Sequence, residues 1–249
     1  TGAGSLSVQV DPAQVQTQID NRQLVQAEGG QVVMTARAAS SLIGSSINNS
    51  GIVTASSLSS QGGRVSLTAN HVANTGTLSA DGTQGGHVVI AATQHDAFGV
   101  VSATGAQTTG GSIEIDAQRT VMLQNASMRA DGATDGGQVR MTHGQTGTGG
   151  AYLSGTLSAD GANGHGGDVQ ITGRQLDLFG TRISATGTTG GGQLRVGGDY
   201  QGANAAVPNA DTLDVNAVQV DVSATQNGTG GRAIFWSENT TLFAGSVDA

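Results

Sequence analysis

The chain has 249 residues, a formal net charge of −8, 41 glycines, two prolines and no cysteine. Glycine stands at more than twice its usual ~7%, and charged residues, at 11%, at under half their usual ~25%. The basic residues are all arginine and scattered singly, which excludes the clustered positive charge that nucleic acid demands; no run of eighteen apolar residues offers a membrane-spanning helix.

Residues 1–50 read as an irregular entry. Leu6, Val8 and Val10 alternate as a strand. Asp11-Pro12 then has the form of an N-cap followed by proline at the first helical position, and Val15 and Ile19 lie four apart, so a short helix is expected over 12–20. Gly29-Gly30 turns into the strand QVVMTA, and Ala38, Leu42 and Ile43 predict a second short helix within 37–44. Asn48-Asn49-Ser50-Gly51 returns the chain to a strand.

Residues 51–196 are the regular part, and their unit is clearest in 166–187. Gly166-Gly167 opens a strand in which Val169 and Ile171 alternate with polar residues. A second strand carries Leu176 and Leu178 and ends at Gly180; a third carries Ile183 and Ala185 and closes on Thr186-Gly187. Within 137–167 the middle strand gains its own corner, Gly149-Gly150, with Tyr152 expected at the surface. The stretch 197–212 loses alternation, contains Pro208 and is expected to leave the repeat as an excursion. The repeat resumes over 213–249, which holds the single tryptophan, Trp236, and reads as a cut edge, making residues 1–249 one segment of a longer solenoid.

Two landmarks share one period. The second glycine of each corner falls at Gly30, Gly63, Gly86, Gly111, Gly137, Gly167, Gly192 and Gly231. The small residue of the third strand falls at Ala55, Ala80, Ala103, Ala130, Ala159, Ala185, Ala224 and Ala249. A period near 25 with strand alternation signals a solenoid whose units bury a common core only by stacking. Corner glycines suit positive φ and close packing of one corner on the next. Parallel crossovers are right-handed in nearly all cases. The expected fold is therefore all-β: a right-handed three-sided parallel β-helix of eight to nine turns, with one or two short helices near the N-terminus. Val169, Ile171, Leu176, Leu178 and Ile183 should point inward, over Val139, Met141, Leu153 and Leu157 and under Leu194 and Val196.

Three segments, EGGQVVMTARAASSLIGSSINNSGIV, GGDYQG and GGRAIFWSENTTLFAGSV, resemble stretches of the large exoproteins of two-partner secretion, the filamentous-haemagglutinin-like adhesins. The resemblance implies a β-helical fibre exported from a Gram-negative cell through a cognate outer-membrane transporter. It further implies a secreted, cell-surface adhesin meeting host cells, other bacteria or an exopolysaccharide. In that family such segments follow the amino-terminal secretion domain, whose Asn-Pro motifs do not occur in this chain.

Candidate chemistry is sparse. The five histidines are spread along the repeat and read as surface residues, with no zinc pattern and no cofactor implied. Four Asn-X-Ser/Thr sequons, at Asn48, Asn125, Asn227 and Asn239, read first as turn chemistry. The residue after each third-strand alanine reads Ser56, Asp81, Thr104, Asp131, Asp160, Thr186 and Thr225. Asp131 and Asp160 fall in consecutive turns, where stacking could bring the carboxylates together as a weak cation site suited to Ca²⁺. Asp199 and Tyr200, in the excursion, are the ligand-binding candidates. The reading is a structural stalk without enzymatic activity. The alternatives are a carbohydrate-binding module, at 197–212 or along a flat face, and a polysaccharide-acting β-helix enzyme.

Overall fold

The computed structural model describes residues 5–10, 17–37, 44–144 and 149–249. Each turn contributes three strands, as Asp168–Thr172, Gln175–Phe179 and Arg182–Ser184 do. Every strand pairs in parallel with its counterparts in adjoining turns. The first face stacks Ser5–Val10, Gln31–Ala36, 64–69, 87–92, 112–117, Gln138–His143, Asp168–Thr172, Gln193–Val196 and Arg232–Phe235. Second and third faces stack alongside it over the same span. The result is a parallel β-helix of about nine turns.

Alternation within the strands of the inner turns sends every second side chain into one continuous core. Val169 lies between Val139 and Leu194, Ile171 between Met141 and Val196, Leu178 between Leu153 and Val215, and Ile183 between Leu157 and Val220. All are buried, as the sequence pattern predicts. Leu176 stacks on Ala151, so the inserted corner at Gly150 still delivers its strand in register.

One hydrogen bond explains why the two landmarks keep step. The N–H of the second corner glycine donates to the carbonyl of the third-strand alanine in the preceding turn: Gly63 to Ala55, Gly137 to Ala130 and Gly167 to Ala159, at 2.7–2.8 Å. None of these corner glycines has positive φ. Steric crowding sets the requirement: a Cβ on Gly137 would stand 2.1 Å from the Gly111 carbonyl oxygen, and one on Gly167 2.1 Å from that of Gly137.

Two expectations change. Thr17–Asn21 is a strand paired with Ser45–Asn49, not the end of a helix. Thr17, Ile19 and Asn21 all point inward, and the two polar members hide the alternation from a hydrophobic pattern. Residues 12–16 and 38–43, where the rest of the expected helices falls, lie outside the described residues. The second change concerns Ala224, which pairs with Gly187 at the corner; Val222 takes the inward third-strand place and accepts the Gly231 N–H. Ser223, not Thr225, is therefore the corner residue of that turn.

Polar residues also enter the core in an ordered way. Asn21, Asn49 and Asn74 stack at the second corner as a buried ladder, Asn21 Nδ2 donating to Asn49 Oδ1 and Asn49 Nδ2 to Asn74 Oδ1, each at 2.8 Å. Their Nδ2 groups also reach backbone carbonyls, so the amides are used rather than stranded.

Candidate functional site

The excursion leaves the first face after Val196 and returns at Ala210, slightly earlier than its expected end at 212. Between them Tyr200–Gly202 forms one 3-10 turn, with Gln201 at φ 55° and Gly202 at φ 62°. Asp199 caps it: Oδ1 accepts the Tyr200 N–H at 2.7 Å and Oδ2 accepts from Asn204 Nδ2 at 2.8 Å. The Asn204 and Tyr200 hydrogen bonds hold the carboxyl below its usual pKa, and Arg195 stands 3.7 Å away.

Tyr200 is 59% exposed, and the Arg232 guanidinium lies 5.3 Å from its ring centroid, a cation–π distance. Asn209 Nδ2 donates to Glu238 Oε1 at 2.6 Å and to the Gly202 carbonyl at 3.2 Å. A Cβ at Gly198 or Gly202 would stand 2.8 Å from the Trp236 indole, so the loop approaches that ring closely. The loop is thus strapped to the last turn by Tyr200, Asn209 and Trp236, and the Asp199 carboxylate serves its own backbone turn.

The corner aspartates form a chain of staples between turns. Asp81 Oδ1 accepts from the Thr104 N–H at 2.6 Å and the Thr104 hydroxyl at 2.8 Å, and both Ser79 and Ser102 hydroxyls donate to the same carboxylate. Asp160 repeats the arrangement with Thr186 N–H at 2.7 Å, Thr186 Oγ1 at 3.0 Å and Ser184 Oγ at 2.8 Å. Asp131 accepts the Asp160 N–H at 3.0 Å and pairs with Arg129 at 3.1 Å. The gap of 29 residues between Asp131 and Asp160 does not splay the corners, since Gly132 and Gly161 still pair. These oxygens have donors from the protein itself, and among the described residues no three His, Cys, Asp or Glu side chains gather to hold a metal.

Two histidines depart from the expected surface placement. His71, His87 and His165 lie outside, beside Asp96, Ser112 and Asp135. His95 and His143 are buried in the core. His95 occupies the inward column between Val72 and Thr120, and neither ring nitrogen has a hydrogen-bond partner; the Thr120 hydroxyl has none either. His143 Nδ1 stands 2.9 Å from the Thr172 carbonyl oxygen. Burial lowers both pKa values to about 4, with His143 adding to the effect on His95. A register alignment of the turns, rather than each strand alone, carries the signal for these positions.

The three stacked faces, the solid core and the excursion between Val196 and Ala210 define a parallel β-helix. Among solved structures the chain is similar to the HMW1 secretion domain from Haemophilus influenzae, with a TM-score of 0.72 and 18% identity, over 99% of this chain and 80% of that one. At that identity the likeness is one of fold. No protein-family model matches the chain, and no curated protein matches it in sequence.

Proposed function

We propose that this chain is a length of shaft in a secreted bacterial exoprotein: a stiff, non-catalytic spacer that holds adhesive surfaces away from the cell. The observation that carries this reading is the parallel stack of strands on three faces around a solid core among the described residues. Each added turn extends such a rod by ~4.8 Å without any new structural invention. The shared fold with the HMW1 secretion domain supports the export reading, as do the three sequence segments that resemble two-partner-secretion adhesins. A chain without cysteine also suits passage through an outer-membrane pore in unfolded form, since no disulfide can form early.

The position assigned, just after the secretion domain, rests on those three segments; in this reading one β-helix runs through both regions. The partners are the cognate outer-membrane transporter during export, and a host receptor or exopolysaccharide afterwards. Antibodies raised against this chain should label intact cells, or the culture medium, of the organism that makes it. Deletion of the transporter should abolish that signal. Signal confined to lysed cells would overturn the proposal.

A further inference from the structure

The outward surface of the second face carries a groove that the shaft reading does not use. In turns six to eight Tyr152, Asp177 and Asp214 are successive register partners, so they stand above one another along the axis. Gln175 and Phe179 lie two residues to either side of Asp177 on the same surface, and Asn216 sits above Phe179. Tyr152 is 41% and Phe179 53% exposed.

The groove has a structural origin. Gly150 occupies an outward position between Arg119 and Gln175, where every neighbouring turn has a side chain. A Cβ there would stand 2.0 Å from the Gln175 carbonyl oxygen, so the notch is imposed by backbone packing. A cleft of about 270 Å³ lies beside it, bordered by Arg119, Tyr152, Gln175 and Asp177. A second cleft of about 220 Å³ lies on the other side of the Tyr152–Asp177 pair, bordered by Phe179, Asp214 and Asn216.

We propose that the second cleft binds a neutral oligosaccharide, with pyranose rings stacked on Tyr152 and Phe179 and hydroxyls donated to Asp177 and Asp214. A pyranose presents an apolar C–H face and a rim of hydroxyls. Exposed aromatic rings suit the first; carboxylates and the Asn216 amide suit the second. Diagonal neighbours on adjacent strands are ~7–8 Å apart, so the two rings address successive sugars rather than one. Arg119 borders the first cleft, but the second has the Asp177 and Asp214 carboxylates and no cation in its lining, so an acidic glycan would meet repulsion there. Burial and the Asp214 carboxylate raise the pKa of Asp177, as expected where two carboxylates share a partly enclosed surface. An extended peptide is disfavoured as well, since these strands have their backbone groups paired on both sides. The inference stands independently of the shaft reading.

Calorimetric titration of the intact chain with cellohexaose, mannohexaose and N-acetylchitohexaose tests it, with hexagalacturonate as the acidic control. At least one neutral hexaose should bind and be recovered uncut, and the acidic one should not bind. Tyr152→Ala and Phe179→Ala should each weaken binding by about tenfold or more with unchanged melting. Asn216→Trp, which fills the second cleft without replacing an inward residue, should abolish it. The proposal fails if no neutral hexaose binds at millimolar concentration, if binding survives both alanine variants and the tryptophan variant, if hexagalacturonate binds equally, or if the hexaose is returned shortened.

Discussion

Replacing His95 by leucine should make the protein both more stable at neutral pH and less sensitive to acid. His95 is fully buried with two unpartnered ring nitrogens, and burial lowers its pKa from 6.5 to about 4. An unfolded chain binds the proton below pH 6.5, whereas the folded one resists until about pH 4. Stability from the neutral ring is therefore complete above pH 6.5 and falls as pH drops from 6.5 towards 4. By linkage the loss at pH 5 is about 2 kcal/mol for each such histidine. His143, lowered to about 4 as well, contributes a similar amount. The charged groups acting on His95 are Asp96, His71 and His143, and all remain in the leucine variant. Urea unfolding at pH 7.5 and 5.0 compares the two proteins, and the carboxylates common to both cancel in the difference. His95→Leu should lose about 2 kcal/mol less than the parent between these values. It should also gain about 1–3 kcal/mol at pH 7.5, where an apolar side chain replaces an unsatisfied one. Equal acid losses in the two proteins, or a leucine variant weaker at pH 7.5, would refute the inward placement of a neutral ring.

Ile171→Asp places an unpaired carboxylate between Met141 and Val196 and should cost several kcal/mol; a melting temperature equal to the parent's would disprove the core assignment. Asn49→Ala removes the middle of the buried amide ladder and strands acceptors or donors on Asn21 and Asn74, with a loss of about 2–4 kcal/mol read by urea midpoint. Gly137→Ala forces a methyl into the Gly111 carbonyl and should lower melting more than Gly180→Ala, whose Cβ meets nothing but whose φ of 63° disfavours alanine. Asp160→Ala should cost about 1–2 kcal/mol through its lost Ser184 and Thr186 hydrogen bonds, while millimolar calcium leaves the parent's melting unchanged.

Reading the fold from sequence succeeds where the inward residues are apolar. Val169, Ile171, Leu176, Leu178 and Ile183 alternate plainly, and one such turn predicts the others because each must stack on the same column. The reading weakens where polar residues face inward. Thr17 and Asn21 mask a strand as a helix end, and His95 passes for a surface residue because its inward position emerges only from the Val72–His95–Thr120 register. Ala224 misled for a related reason: after a long excursion the same residue type recurs two places from the register position. The groove beside Tyr152 is hidden more deeply. Tyr152, Asp177 and Asp214 are 25 and 37 residues apart in sequence and meet only through pairing of outward positions across turns. Asp199 shows the converse, a residue conspicuous in sequence whose carboxylate caps its own turn.

A stiff, in-register stack fixes the spacing between turns, and that spacing can be measured. Gln31 and Gln193 are the same first-face position in turns two and eight, linked through Arg64, His87, Ser112, Gln138 and Asp168. Six steps of ~4.8 Å separate their backbones by about 29 Å. Pulsed electron–electron resonance on spin labels at Gln31→Cys and Gln193→Cys should give one narrow distance distribution near that value. A broad distribution, or a peak displaced by more than one rung, would contradict a rigid β-helical shaft.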